Sequence, residues 1–158
     1  MENHRHEEFM RLALQEAGLA FKEGEVPVGA VVVVEGQIVG KGHNQREALQ
    51  DPTAHAEVLA LREACRKLNS WRLPHATVYV TLEPCSMCVG ALILARVQHL
   101  VYGVSDPKAG AVGSLYNLAQ DPRLNHRIEV TSGILEAACS EILKTFFKTL
   151  RPVRSWRG

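Results

Sequence analysis

The order of elements along the chain predicts an α/β fold, namely a three-layer α/β/α domain around a mixed five-stranded sheet. Four segments carry apolar residues at helical spacing, and β-rich runs lie between them in the order αββαβαββα. The chain has 158 residues, of which 46% are hydrophobic and 22% charged. These values are ordinary for a soluble globular protein, so residues 1–158 are expected to form one domain.

The first half of the chain predicts a helix, a hairpin and a second helix. Residues 4–23 repeat apolar side chains at helical spacing and end at a glycine. The β-rich runs 28–34 and 37–41 are separated by Glu35-Gly36, a two-residue hairpin signal. After a polar loop, Asp51-Pro52-Thr53 is typical of a helix start. The apolar face of that helix is predicted to hold Ala54, Val58, Leu61, Cys65 and Leu68.

The second half predicts three strands and two helices. Residues 76–82 form a strand that Glu83-Pro84 ends, and a helix follows over 85–95 because proline suits a first helical position. Residues 98–104 and 127–131 are strands on either side of a loop-rich stretch. Residues 135–150 form a long amphipathic helix with two neighbouring apolar lines, which cannot both face solvent, so one of Phe146 and Phe147 is expected to be in the core.

Composition excludes several classes of protein. The longest apolar run, residues 26–34, is far shorter than the ~20 residues that cross a bilayer, and the N-terminus has no apolar signal segment. We therefore expect a cytoplasmic protein without a membrane partner. Cys65 and Cys139 lie in apolar helical patterns and are expected to be small buried side chains rather than part of a disulfide framework.

Positive charge is concentrated at the C-terminus, although the formal net charge is only +1. On charge alone this end is a solvated helix terminus, where cations suit the helix dipole. The alternative is a patch that faces phosphates. The tail from about residue 151 matches no motif. The bases in question are Lys144, Lys148, Arg151, Arg154 and Arg157, with no acid among them.

Two short segments carry residues suited to metal chemistry, HAE at 55–57 and PCSMC at 84–88. One imidazole and two thiolates suit zinc, and three protein ligands leave the fourth tetrahedral position open, as in catalytic sites. We therefore predict that His55, Cys85 and Cys88 bind one zinc ion, which activates water. Glu57, which is not a ligand, is predicted to move the protons. The combined pattern is the signature of zinc nucleobase deaminases.

The spacing of these residues also predicts where they lie. Cys85 and Cys88 are i and i+3 at a helix start, so their sulfurs face one side. His55 and Glu57 are two residues apart and converge only in the first turn of a helix. Each helix start also brings the positive end of its dipole to the metal.

Two other interpretations of these motifs remain. A closed structural zinc site would need a fourth ligand, for which His126 and Cys139 are candidates, and it would leave Glu57 without a role. A thioredoxin-like redox pair would leave both His55 and Glu57 unexplained.

Five longer stretches carry a family resemblance: EVPVGAV (25–31), DPTAHAE (51–57), ATVYVTLEPCSMCVGA (76–91), GVSDPKAGAVGSL (103–115) and NHRIEVTSGIL (125–135). Over about residues 5–150 the chain resembles the bacterial tRNA-specific adenosine deaminases of the cytidine-deaminase-like superfamily. The metal motif is common to that superfamily. SDPKAGAVGSL and NHRIEV are narrower, and they favour the tRNA-specific group.

The resemblance implies a cytidine-deaminase-like fold and a homodimer. It further implies hydrolytic conversion of adenosine to inosine, with release of ammonia, at the wobble position of the anticodon of a tRNA, specifically an arginine tRNA. By the same resemblance, Asn44 contacts the base. Contacts to the anticodon loop are expected near Asp106, Lys108 and Asn125, and around Phe146, Phe147 and Arg151.

The residues themselves leave alternatives open. Asn44 alone is more typical of a turn, and so is Asp106-Pro107-Lys108, whose acid suits a ribose hydroxyl better than a phosphate. The main alternative function is a free nucleobase or nucleoside deaminase acting on cytosine or guanine, with the same zinc and Glu57. A catalytically silent RNA-binding subunit is a third possibility, and the intact Glu57 argues against it.

Overall fold

A computed structural model describes residues 2–150, apart from the side chain of Leu150. The predicted order of elements is confirmed, with one short helix added after the hairpin. The elements are α1 (Glu2–Lys22), β1 (Gly29–Val34), β2 (Gln37–His43), α2 (Arg46–Leu49), α3 (Ala56–Leu68), β3 (Ala76–Leu82), α4 (Ser86–Leu94), β4 (His99–Val104), β5 (Glu129–Thr131) and α5 (Glu136–Leu150).

The five strands form one mixed sheet, as predicted, and the structure gives their order as β2-β1-β3-β4-β5. β1 runs antiparallel to both β2 and β3, whereas β3, β4 and β5 are parallel to one another. Glu35 and Gly36 join β1 to β2 with φ angles of 52° and 75°. Positive φ angles at both central residues are typical of a type I′ hairpin turn, whose backbone twist matches that of the two strands it joins.

Helices cover both faces of the sheet, so the three-layer prediction is confirmed. Ala30 and Val32 of β1 face a core cluster that includes residues of α3 and α4. Val31 and Val33 face a second cluster with residues of α1 and α5. Because both faces of β1 are buried, its sequence is apolar throughout instead of alternating. None of the helices between residues 2 and 150 is long and apolar enough to span a bilayer.

The predicted buried face of α3 is partly wrong. Leu68 is exposed, and the helix begins at Ala56 rather than at the Asp51 turn. The reason is the close approach of α3 to β2: a Cβ atom on Gly40 or Gly42 would overlap backbone atoms of Ala60 or Ala56. Small residues therefore occupy the contact. The buried residues of α3 are Ala56, Glu57, Ala60, Leu61 and Ala64.

Gly40→Ala is expected to destabilise the protein by about 1–3 kcal/mol, because the added methyl overpacks a contact whose neighbours are backbone atoms. Gly18→Ala is the matched control, since nothing lies within 4 Å of its added Cβ. In a helix that change should stabilise by about 0.5–1 kcal/mol. Urea denaturation measures both, and equal midpoints for the two variants would contradict the close helix–sheet contact.

The two isolated cysteines differ in their surroundings. Cys139 is fully buried, as predicted, and burial raises the pKa of its thiol to about 12. Cys65 is only partly buried, and burial raises its pKa as well. Both are free thiols held in their protonated form at neutral pH.

Candidate metal centre and substrate cavity

The N-terminal ends of α3 and α4 lie close together beyond the C-terminal end of β3, the central strand, and this brings the two motifs together. His55 precedes α3 with φ −79° and ψ 155°, and Cys85 precedes α4 with φ −80° and ψ 176°. A side chain in this N-cap position normally accepts a hydrogen bond from its own helix. Neither residue makes such a bond, so both side chains are available to a common centre.

The three predicted ligand atoms lie at distances that fit a tetrahedral zinc ion. Nδ1 of His55 is 3.6 Å from Sγ of Cys85 and 3.4 Å from Sγ of Cys88. Zinc bonds of about 2.0–2.1 Å to nitrogen and 2.3 Å to sulfur place such atoms about 3.6 Å apart. The cluster thus matches the donor set and the size of a zinc site.

A fourth protein ligand is not found among residues 2–150, where these three residues form the only metal-ligating group of at least three His, Cys, Asp or Glu. Nε2 of His126 lies 2.6 Å from the carbonyl oxygen of Val97 instead. Cys139 packs against Gly103 in the other helical layer. Neither His126 nor Cys139 supplies a fourth ligand, which argues against a closed structural zinc site.

Glu57 lies in the first turn of α3 with only 4% of its surface exposed. Burial raises the pKa of this carboxyl to about 7. The hydrogen bond from Cys88 lowers the pKa of Cys85 to about 3, so that sulfur is a thiolate, the form that binds metals. A carboxyl group that changes protonation near neutral pH is suited to general acid–base chemistry.

The cluster opens into a cavity of about 430 Å³, which is the size of a small-molecule pocket. His55, Glu57 and Cys85 form part of its wall. The remainder comes from the segment before β1, the segment after β2, the start of α3, the end of β3 and the residue after it, the loop after β4 and one face of α5. These residues are Val26, Val28, Asn44, Arg46, Ala56, Leu82, Glu83, Ser105, Asp106, Pro107, Lys108, Ala109, Leu143 and Phe147.

Asn44 lines the cavity, and its side chain also forms the turn that its residue type indicates, whereas the base contact implied by the resemblance stays a prediction. Its Oδ1 accepts a hydrogen bond from the backbone N–H of Arg46 at 3.2 Å. Its Nδ2 donates to the carbonyl oxygen of Val26 at 3.2 Å. These two bonds fix the plane of the buried amide and leave its second N–H for another partner.

The loop after β4 brings Asp106 and Lys108 to the cavity but not Asn125. Oδ1 of Asp106 accepts hydrogen bonds from the backbone N–H groups of Lys108 and Ala109, at 3.0 and 3.3 Å, as the predicted turn requires. Asn125 is exposed in the loop before β5 and is not part of the cavity wall.

The two phenylalanines of α5 have different environments. Phe146 is 4% exposed and packs edge-on against Phe21 with ring centroids 5.8 Å apart. Phe147 is 49% exposed and lines the cavity. Phe146 is therefore the core residue, and Phe147 is the one of the two that reaches the cavity. Arg151 lies outside the described residues.

The sequence analysis missed Arg46 and Glu83, which also line the cavity. Arg46 belongs to α2, a helix of four residues that is too short to show periodicity. Glu83 is 2% exposed, although a glutamate beside a proline ordinarily indicates a surface turn. No pattern in the sequence distinguishes such a buried carboxylate from a solvated one.

The chain is similar to known deaminases over most of its length. Residues 4–151 match the MafB19-like deaminase family. The tRNA-specific adenosine deaminase of Bacillus subtilis is 52% identical over 143 residues, 90% of this chain and 89% of its own length. That of Aquifex aeolicus is 52% identical over 145 residues, with 92% and 95% of the two chains covered.

Two solved structures have the same fold. One, from work on A-to-I editing at the wobble position of transfer RNA, is 46% identical with a TM-score of 0.84, covering 86% of this chain and 99% of that one. The guanine deaminase of Nitrosomonas europaea is 25% identical with a TM-score of 0.74, covering 89% and 83%. The chain therefore belongs to the MafB19-like deaminase family and, within it, to the tRNA-specific adenosine deaminases.

Proposed function

We propose that this protein hydrolytically deaminates adenosine to inosine at the wobble position of a tRNA anticodon, using one zinc ion per chain. The observation that carries the proposal is the cluster of His55, Cys85 and Cys88 beside the buried Glu57 at the wall of a cavity. The names of relatives that are about half identical over most of the chain support the choice of substrate.

His55, Cys85 and Cys88 would hold the zinc, which when bound would act as a Lewis acid and lower the pKa of water. Glu57 takes a proton from the attacking water and delivers it to a ring nitrogen of adenine while the oxygen bonds to the amine-bearing carbon. The second proton passes to the amine, which leaves as ammonia. One water is consumed for each inosine formed. The role of Glu57 is to transfer protons without binding the metal.

The remaining lining residues of the cavity suit an adenine nucleotide that has been turned out of an RNA loop. We assign the remaining N–H of Asn44 to the base edge and the exposed ring of Phe147 to stacking on a base, because both residues line the cavity. We assign the side chain of Asp106 to a ribose hydroxyl and that of Lys108 to a phosphate. Asn125 and Arg151 remain predictions from resemblance alone.

Phe147→Ala is expected to raise the KM for a tRNA substrate about tenfold, because stacking of one base contributes about 1–3 kcal/mol. The ring is half exposed, so the melting temperature should change little. Phe146→Ala is the matched comparison: it removes a buried ring and should destabilise by about 3 kcal/mol. If Phe147→Ala leaves KM unchanged in a steady-state assay, the assignment of this wall to RNA is wrong.

The assay for the proposed function offers the zinc-loaded protein two substrates in parallel. Unmodified tRNA is sequenced for inosine, which is read as guanosine, and free guanine, cytosine and adenosine are assayed for ammonia release. Inosine confined to the wobble position is the expected result. Ammonia from a free base without inosine in tRNA would replace the proposal with the alternative of a nucleobase deaminase. Binding of tRNA without any turnover would indicate the silent subunit.

We further propose that the protein is a homodimer in the cytoplasm, that residues 1–158 form one domain, and that its substrate is an arginine tRNA. The outer face of α4 supports the dimer. Met87 and Leu94 are seven residues apart on this helix and are 37% and 68% exposed. Sedimentation of wild type and Leu94→Glu tests the dimer, and a wild-type monomer would contradict it.

A further inference from the structure

A buried carboxylate that takes no part in the proposed chemistry lies next to the metal motif. Glu83 follows β3, two residues before Cys85, and is 2% exposed. A polar group buried to this extent needs hydrogen-bond donors, because it has lost its contact with water.

All the donors to this carboxylate come from the loop after β4. Oε1 accepts from the backbone N–H of Asp106 at 2.9 Å and from the Ser114 hydroxyl at 2.6 Å. Oε2 accepts from the backbone N–H groups of Val112 at 2.9 Å and Ser114 at 3.1 Å. The loop residues 105–114 thus fold around one carboxylate.

Gly110 shows how closely the loop approaches. A Cβ atom at this position would overlap the carboxylate of Glu83, so a larger residue would have to displace that carboxylate from its hydrogen bonds. One backbone hydrogen bond, from Ala111 N–H to the Pro84 carbonyl at 2.9 Å, runs beside it. Residues 105–109 of the loop line the cavity, and Pro107, Lys108 and Ala109 among them are exposed. The backbone N–H of Asp106 donates to Glu83, so this stretch is attached to the segment between β3 and the ligand Cys85.

We propose that Glu83 is a positioning residue that holds the 105–114 loop in place as the wall that receives the ribose and phosphate of the substrate. This inference rests on the proposed function. Glu83 acts through the loop and not on the reacting atoms, so its loss should weaken substrate binding more than the chemical step. A glutamine here can accept at only one of the two oxygen positions, so Glu83→Gln removes two of the four hydrogen bonds.

The test compares KM, kcat and zinc content of wild type, Glu83→Gln and Ser114→Ala on an anticodon stem-loop RNA. Because Glu83→Gln removes two hydrogen bonds that hold the loop, it should raise KM at least about tenfold. Its kcat should change less than KM, and its zinc content should be that of wild type. Ser114→Ala, which removes one donor, should give a smaller rise in KM. Glu129→Gln is the control, because Glu129 is an exposed carboxylate outside the cavity wall, and its KM and kcat should match those of wild type.

An unchanged KM in Glu83→Gln, whatever its kcat, would overturn the proposal, and so would loss of zinc from that variant. If that variant does not fold, an unchanged KM in Ser114→Ala overturns it. Hydrogen exchange tests the attachment without any substrate, because the amide of Asp106 should exchange faster in the Glu83 and Ser114 variants, and equal rates would also overturn it. A wild-type protein that leaves tRNA unmodified contradicts the proposed function instead, and the exchange result still decides the role of Glu83 in the loop.

Discussion

Glu57→Gln is expected to lower the rate of inosine formation about 10³-fold while zinc content and fold stay unchanged. Proton transfer by a positioned carboxyl contributes about 10²–10⁴ to a rate, and an amide cannot carry out that transfer. The side chain is buried and the substitution preserves its volume, so the packing at the start of α3 should survive. Single-turnover assays with tRNA measure the rate, and elemental analysis measures the zinc.

The control for this variant is Glu63→Gln. Glu63 is an exposed residue of the same helix whose carboxylate accepts a hydrogen bond from the Lys41 N–H, and the amide oxygen of glutamine can accept the same bond. It should retain wild-type turnover. Activity of Glu57→Gln within about tenfold of wild type would remove Glu57 from the chemistry, since even a modest acid–base role is worth more. Zinc lost together with activity would make Glu57 a ligand or a structural residue instead.

Cys88→Ser is expected to abolish zinc binding at ordinary zinc concentrations, and turnover with it. Serine remains protonated at neutral pH and is a poor zinc donor, whereas the thiolate is the form that binds. Loss of a supporting outer partner already costs about 10–100-fold in metal affinity, so loss of a ligand should exceed about 100-fold. Titration of the zinc-free protein with a competing chelator measures the affinity.

Cys65→Ser is the matched control, because this cysteine belongs to α3 but not to the ligand cluster. It should bind zinc with the wild-type affinity and turn over tRNA normally. Wild-type zinc affinity in Cys88→Ser would show that the metal is held elsewhere. Reduced affinity in both variants would indicate a general loss of structure rather than the loss of a ligand.

The metal centre could be predicted from sequence because its chemistry is local. HAE and PCSMC each lie at the start of a helix, and helical geometry alone dictates that Cys85 and Cys88 face one side. The hairpin was predictable for the same reason, since Glu35-Gly36 specifies a turn with two positive φ angles. In these segments the local preference and the tertiary structure agree.

Features that depend on contacts between distant segments were not predictable. The buried face of α3 is determined by two glycines of β2, which allow the alanines of the helix to pack closely against the strand. The larger Leu68 lies outside this contact. Phe146 and Phe147 have the same residue type and adjacent positions, and only the packing of α1 against α5 separates them. Glu83 is buried because a loop some thirty residues later supplies its donors.

The central claim is a zinc ion held by three protein side chains, with the fourth position left to the reaction. X-ray absorption spectroscopy of the zinc-loaded protein tests it most directly. We expect two sulfur neighbours at about 2.3 Å, nitrogen or oxygen neighbours at about 2.0–2.1 Å, and the scattering pattern of a single imidazole. A third sulfur or a second imidazole would contradict the open site and, with it, the deaminase chemistry proposed for this protein.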